Sequence, residues 1–123
     1  MKIYVGHSSD IDYEEKLYRP LVESELAVKH ELVFPHEDSE DLFDSKRYLR
    51  EEADIFIAET SKPSTGLGIE LGWADNYDVP VICVYQEDSQ YSDALKVISD
   101  KILSYETSED MIRAVANFIS EFK

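Results

Sequence analysis

From one end of the chain to the other, short runs rich in β-branched and aromatic residues alternate with longer stretches in which apolar residues recur every three or four positions. The first pattern is that of strands and the second that of amphipathic helices. Strands are predicted over residues 2–6, 31–34, 54–59, 79–85 and 101–105. Between them Leu17, Leu21, Val22 and Leu26 fall at helical spacing, and more weakly so do Leu42, Tyr48 and Leu49. Thr107-Ser-Glu-Asp110 carries the N-terminal chemistry of a last helix, whose apolar face is Met111, Ile112, Val115, Phe118, Ile119 and Phe122. The alternation gives five βα units, the pattern of a parallel sheet with crossover helices.

Ile55-Phe-Ile-Ala58 and Val81-Ile-Cys-Val84 are apolar at every position, as central parallel strands covered on both faces must be. With right-handed crossovers, the expected fold is α/β, a three-layer αβα arrangement around a five-stranded parallel sheet in the flavodoxin-like order 2-1-3-4-5. Ligands in such sheets collect at the carboxyl ends of the strands, beside the switch point between the first and third. The segments expected there are Gly6-His-Ser-Ser-Asp10, Pro35-His36 and the loop 59–68.

Composition narrows the possibilities. A length of 123 residues suits one hydrophobic core, so residues 1–123 are read as a single domain. The balance of 27 acidic against 12 basic residues gives a net charge of −15, a field that repels polyphosphate backbones and anionic lipid heads. Neither polymeric nucleic acid nor a membrane is an expected partner. No run approaches the roughly 18 apolar residues of a membrane span, and a cytoplasmic location is expected. The single cysteine, Cys83, sits in an apolar run and reads as a small buried hydrophobe.

Candidate chemistry gathers after the third strand. Ser64 and Thr65 are good helix N-caps, and Gly66 and Gly68 permit close approach of a ligand to the backbone. A helix is expected to begin here, with Glu70 in its first turn or so and Gly72 packed closely against a neighbouring backbone or ligand. An acid in a first turn also complements the helix dipole, and for an arbitrary glutamate that is sufficient explanation. His7 and His36 are placed at strand ends lining the pocket, while Trp73 is read as core more readily than as a base-stacking ring. No His, Cys and carboxylate spacing matches a metal site, and none is assigned.

The string Gly66-Leu-Gly-Ile-Glu-Leu-Gly-Trp-Ala74 resembles the signature of the nucleoside 2-deoxyribosyltransferase family and of the related 2-deoxynucleoside 5-monophosphate N-glycosidases. Similarity extends to Lys2-Ile-Tyr-Val5 and to Glu52-Ala-Asp-Ile-Phe-Ile-Ala-Glu59 leading into Pro63-Ser64. The resemblance implies cleavage or base exchange at an N-glycosidic bond of a nucleoside or nucleotide, with Glu70 attacking the sugar anomeric carbon and Tyr4 as its catalytic companion. Substrate contacts are expected from His7, Ser8, Ser9, His36, Asp44, Ser64, Gly66 and Gly68, with no cofactor. It further implies a homodimer or larger homo-oligomer in which Ser89 and Ser92 serve the neighbouring subunit's site, and Leu42, Phe43 and Tyr48 offer an aromatic surface for such assembly.

Two departures accompany it. The family places an aspartate eight residues before the Asp that starts the third strand; counting back from Asp54 gives Lys46, with Asp44 two residues earlier as its substitute. The loop after the first strand is acidic, with Asp10 and Asp12, which favours a neutral nucleoside over a phosphorylated one. The alternative function is therefore a nucleoside- or nucleotide-binding module of the same fold with impaired catalysis. A phosphoacceptor receiver domain would need an aspartate where this chain has Ala58-Glu59-Thr60.

Overall fold

The computed structural model describes residues 1–35 and 44–122. Five strands, β1 (Lys2–His7), β2 (Glu31–Val33), β3 (Ile55–Glu59), β4 (Val81–Gln86) and β5 (Ile102–Tyr105), form one sheet in the order β2-β1-β3-β4-β5. Every neighbouring pair is parallel. The expected three-layer α/β architecture and strand order hold. Helices α1 (Arg19–Val22), α2 (Glu25–Lys29), α3 (Ser45–Glu51), α4 (Thr65–Asn76) and α5 (Ser108–Ser120) cover the two faces.

Alternation along the strands divides the core in two. Ile3, Val5, Ile55, Ile57, Ile82 and Val84 pack with residues of α1, α2 and α5, including Leu21, Leu26, Met111, Val115 and Ile119. Tyr4, Phe56, Ala58, Val81 and Cys83 point the other way, against Leu49 of α3, Leu67 and Leu71 of α4, and Leu95. Thr107 caps α5 in a reciprocal box with Asp110, as the sequence predicts. Cys83 is fully buried, and that burial pushes its thiol up to about 11.

The structure departs from the sequence pattern in three places. The helical stretch after β1 is interrupted: a π-helical turn, Glu14–Tyr18, runs into α1, and Ser24 then breaks the chain by accepting from the Leu26 N–H while donating to the Leu21 carbonyl. Val22, expected on the apolar face, is left 52% exposed. The fourth crossover holds a 3₁₀ segment, Asp93–Val97, in place of an α-helix, and buries only Leu95. Tyr48, expected on an exposed surface with Leu42 and Phe43, is buried beside Tyr4 with ring centroids 5.9 Å apart. Leu42 and Phe43 lie outside the described residues.

Gly6 lies on the α3/α4 side of β1, in register with Ala58 of β3. A Cβ there would stand 2.7 Å from Cζ of Phe56 and 3.2 Å from Cδ1 of Leu67. Phe56 is fully buried, so its ring has little room to yield. Gly6→Ala should therefore lower unfolding stability by about 1–3 kcal/mol, the usual cost of overpacking. Urea unfolding with an unchanged midpoint would show that the core relaxes around the methyl group.

Candidate active site

Helix α4 begins where the sequence suggests, with Ser64 in extended conformation and its Oγ accepting the Leu67 N–H at 3.1 Å. Counting from Thr65, Glu70 is the sixth helical residue and so stands in the second turn, beyond the reach expected of a first-turn dipole partner. Its carboxylate instead meets the first strand. Tyr4 donates its phenolic proton to Oε2 of Glu70 and lies 2.6 Å from Oγ of Ser45 on α3. Tyr4 is fully buried, its ring edge-on to Phe56 at 5.0 Å, while Glu70 is half-buried. Burial foremost, and then the adjacent carboxylate, raise the phenol well above its ordinary pKa, so Tyr4 remains a proton donor across the physiological range.

The glycines act differently from expectation. No glycine in the described chain has a positive φ, and a Cβ at Gly66, Gly68 or Gly72 would meet no described atom within 4 Å. Gly72 is thus not held by close packing against a protein neighbour. At Gly66 and Gly68 the absent side chains leave the outer surface of the first helical turn low and open. Gly68 and Ser64 border a cavity of about 470 Å³ whose floor is Leu67, Leu71, Leu95 and Ile98. Glu70 is not among the residues that line this cavity, although Leu67 on its floor stands one turn before it on α4.

The other candidates separate. His7 and Ser8 are buried at the end of β1, and His7 faces Tyr13 and Tyr18 at the π-helical turn rather than the Tyr4 side of the sheet. Its Nδ1 lies 2.8 Å from the Ser8 carbonyl and its Nε2 2.6 Å from the Tyr18 hydroxyl, with the Tyr13 ring stacked at 4.4 Å. The carbonyl can only accept, so Nδ1 carries a proton, and a neutral ring accepts from Tyr18. Alternation along β1 thus takes His7 away from Glu70, against the expectation that it lines the same pocket. Ser8 Oγ accepts the Asp10 N–H at 3.1 Å; Ser9 is exposed.

Asp44 is the N-cap of α3, accepting the Arg47 N–H at 3.1 Å, so its carboxylate is occupied in starting the helix. Lys46 is exposed. Ser89 donates to the Gln86 carbonyl and Ser92 caps the 3₁₀ segment. Trp73 is half-buried against the core beneath α4. His36 lies outside the described residues. Among the described residues, no three His, Cys, Asp or Glu side chains converge as a metal site, and no helix is long and apolar enough to cross a membrane.

Sequence reasoning missed two polar features. One is Ser45, whose contact with Tyr4 spans 41 positions and has no local signature. The other is a buried knot at the carboxyl ends of β3, β4 and β5. Glu59, 1% exposed, accepts from Ser61 N–H at 2.6 Å, from Ser61 Oγ at 2.9 Å and from the Tyr105 hydroxyl. Ser61 Oγ in turn accepts the Gln86 N–H at 2.8 Å. An acid ending an apolar strand, with serine two positions on, is the only hint the sequence offers.

No protein-family profile matches the chain. A 34-residue segment is 41% identical to a 2'-deoxynucleoside 5'-phosphate N-hydrolase of Syntrophotalea carbinolica, covering 28% of this chain and 24% of that protein. A 38-residue segment is 40% identical to a 5-hydroxymethyl-dUMP N-hydrolase of Branchiostoma floridae, covering 31% of this chain and 36% of the relative. These curated similarities agree with the superfamily resemblance. The aligned segments span only about a quarter and about a third of the relatives' own lengths. The solved structure of a Clostridium botulinum CMP N-glycosidase superposes with a TM-score of 0.67 over 94% of this chain and 99% of its own, at 18% identity, a likeness of fold.

The Glu59 knot makes a separate prediction. Tyr105→Phe removes one donor from a buried carboxylate and should cost about 1–3 kcal/mol of stability. Chemical unfolding of the variant and wild type reads the difference, and a change below about 0.5 kcal/mol would mean that water or another group replaces the phenol.

Proposed function

We propose that this chain cleaves the N-glycosidic bond of a small nucleotide or nucleoside, with Glu70 as nucleophile and Tyr4 as the group that holds it. The observation that carries this reading is the Tyr4 to Glu70 hydrogen bond, formed by a glutamate within the glycine-framed string. The relatives named for N-hydrolase activity on deoxynucleotides support the reaction class.

The chemistry follows from the residue types. A Glu70 carboxylate oxygen forms a bond to the anomeric carbon as the carbon–nitrogen bond breaks; that electron pair leaves on the base nitrogen, which takes a proton from solvent that the water of the second step returns. The transition state is oxocarbenium-like, and the negative carboxylate stabilises it. Water then attacks the glycosyl ester, releasing the sugar and restoring the carboxylate; a second base attacking in its place gives exchange. Gly66 and Gly68, beside the Ser64-capped helix start, give a ligand's oxygens close access to the α4 N-terminus. Ser9, exposed beyond β1, is a further candidate contact.

Incubation with a panel of deoxynucleosides and their 5'-monophosphates, with and without an acceptor base, tests the proposal. Wild type should release or exchange base, and Glu70→Ala should lose at least about a thousandfold in rate, as expected when a nucleophile is removed. Equal rates for both proteins on every substrate would refute the assignment. The engagement of Asp44 as a helix cap, with Lys46 exposed nearby, favours one alternative: a module that binds such ligands without turnover, seen as thermal stabilisation without base release.

A further inference from the structure

Ser45 is the first residue of α3, and the Asp44 cap sets where that helix starts. The Ser45 hydroxyl thereby reaches Tyr4 Oη at 2.6 Å. A phenol has one proton to give. Tyr4 gives it to Glu70 Oε2, so in the pair formed with Ser45 the serine donates. The three groups make a one-way chain, Ser45 O–H to Tyr4 O–H to the Glu70 carboxylate, in which each donor polarises the next.

Position along the chain singles out this residue. Of the three consecutive residues Asp44, Ser45 and Lys46, the first is committed to the Arg47 N–H and the third is exposed. Only Ser45 has a described contact with the Tyr4 and Glu70 pair. Its hydrogen bond opposes the effects of burial and of the carboxylate on Tyr4, because it stabilises electron density on the phenol oxygen. A hydroxyl kept at the junction of β1, α3 and α4 thus sets the phenol's proton toward the carboxylate.

Building on the reading of Glu70 as nucleophile, we infer that Ser45 is a positioning residue, acting through Tyr4 to fix the direction and strength of the hydrogen bond that holds the carboxylate. Removing it leaves substrate contacts intact and slackens the nucleophile. The cost falls on the chemical step.

The test compares wild type, Ser45→Ala, Ser45→Thr and Glu70→Ala in two measurements. In turnover of whichever deoxynucleoside or 5'-monophosphate wild type cleaves, Ser45→Ala should lower kcat about fivefold to twentyfold with KM within about twofold, the scale of one hydrogen bond felt in the transition state. Ser45→Thr, which keeps the hydroxyl, should recover most of that loss. In 13C NMR of protein labelled at glutamate carboxyls, the Glu70 signal, identified by its absence from Glu70→Ala, should titrate at higher pH in Ser45→Ala and return toward wild type in Ser45→Thr. An unchanged kcat, a KM that rises in step with the loss, or an unmoved titration overturns the inference. A wild type no faster than Glu70→Ala would sink the nucleophile assignment instead, and the NMR titration would still decide the role of Ser45.

Discussion

The arrangement depends on one hydrogen bond, from a phenol in the middle of the first strand to a carboxylate in the second turn of α4. Each partner needs the other. A tyrosine with no exposed surface must find an acceptor for its proton, and a half-buried carboxylate must find donors in place of water. Meeting both needs at once requires α4 to lie close on the sheet. Gly6 and Ala58, side by side in register, supply the shallow floor that lets Leu67 approach, and the Ser64 cap sets the helix start from which Glu70 is counted.

The two sides of the sheet solve different polar problems at the same end. On the α3/α4 side, Ser45, Tyr4 and Glu70 form a chain that leads from the protein interior to a half-buried carboxylate. On the α1/α5 side, His7 with Tyr18, and Glu59 with Ser61 and Tyr105, are buried networks in which the polar atoms are paired with one another. The second set ties strand ends and loops together. No salt bridge reaches Glu59 among the described residues; the three donors alone meet its carboxylate. A buried carboxylate is costly to leave without its donors, which makes this one a firm anchor for the chain entering α4.

Much of the fold was legible because its signals are local. The unbroken apolar runs of β3 and β4 mark central strands, and Thr107 with Asp110 marks the start of α5. The break at Ser24 was not legible, because serine is tolerated within helices and stops one here by bonding Leu21 and Leu26 in competition with the ladder. At the site, the helix start at Ser64 was legible from its N-cap chemistry, while Glu70 and Tyr4 were singled out only by the resemblance of the glycine-framed string and of Lys2-Ile-Tyr-Val5 to the family. Ser45 was not, since only the folded sheet brings it across 41 positions to Tyr4. The facing of His7 was not legible either: nearness in sequence to the strand end says little about which face a side chain takes, and a count of two along the strand keeps His7 on the side of Val5, away from Tyr4.

If the phenol holds the carboxylate, Tyr4 and Glu70 are energetically coupled, and a double-mutant cycle measures that coupling without reference to substrate. Unfolding free energies of wild type, Tyr4→Phe, Glu70→Ala and the double variant give the coupling directly. A hydrogen bond to a charged, half-buried carboxylate predicts a favourable coupling of about 1.5–3 kcal/mol. Additive effects, with coupling below about 0.5 kcal/mol, would mean that the phenol is not what holds the carboxylate in place.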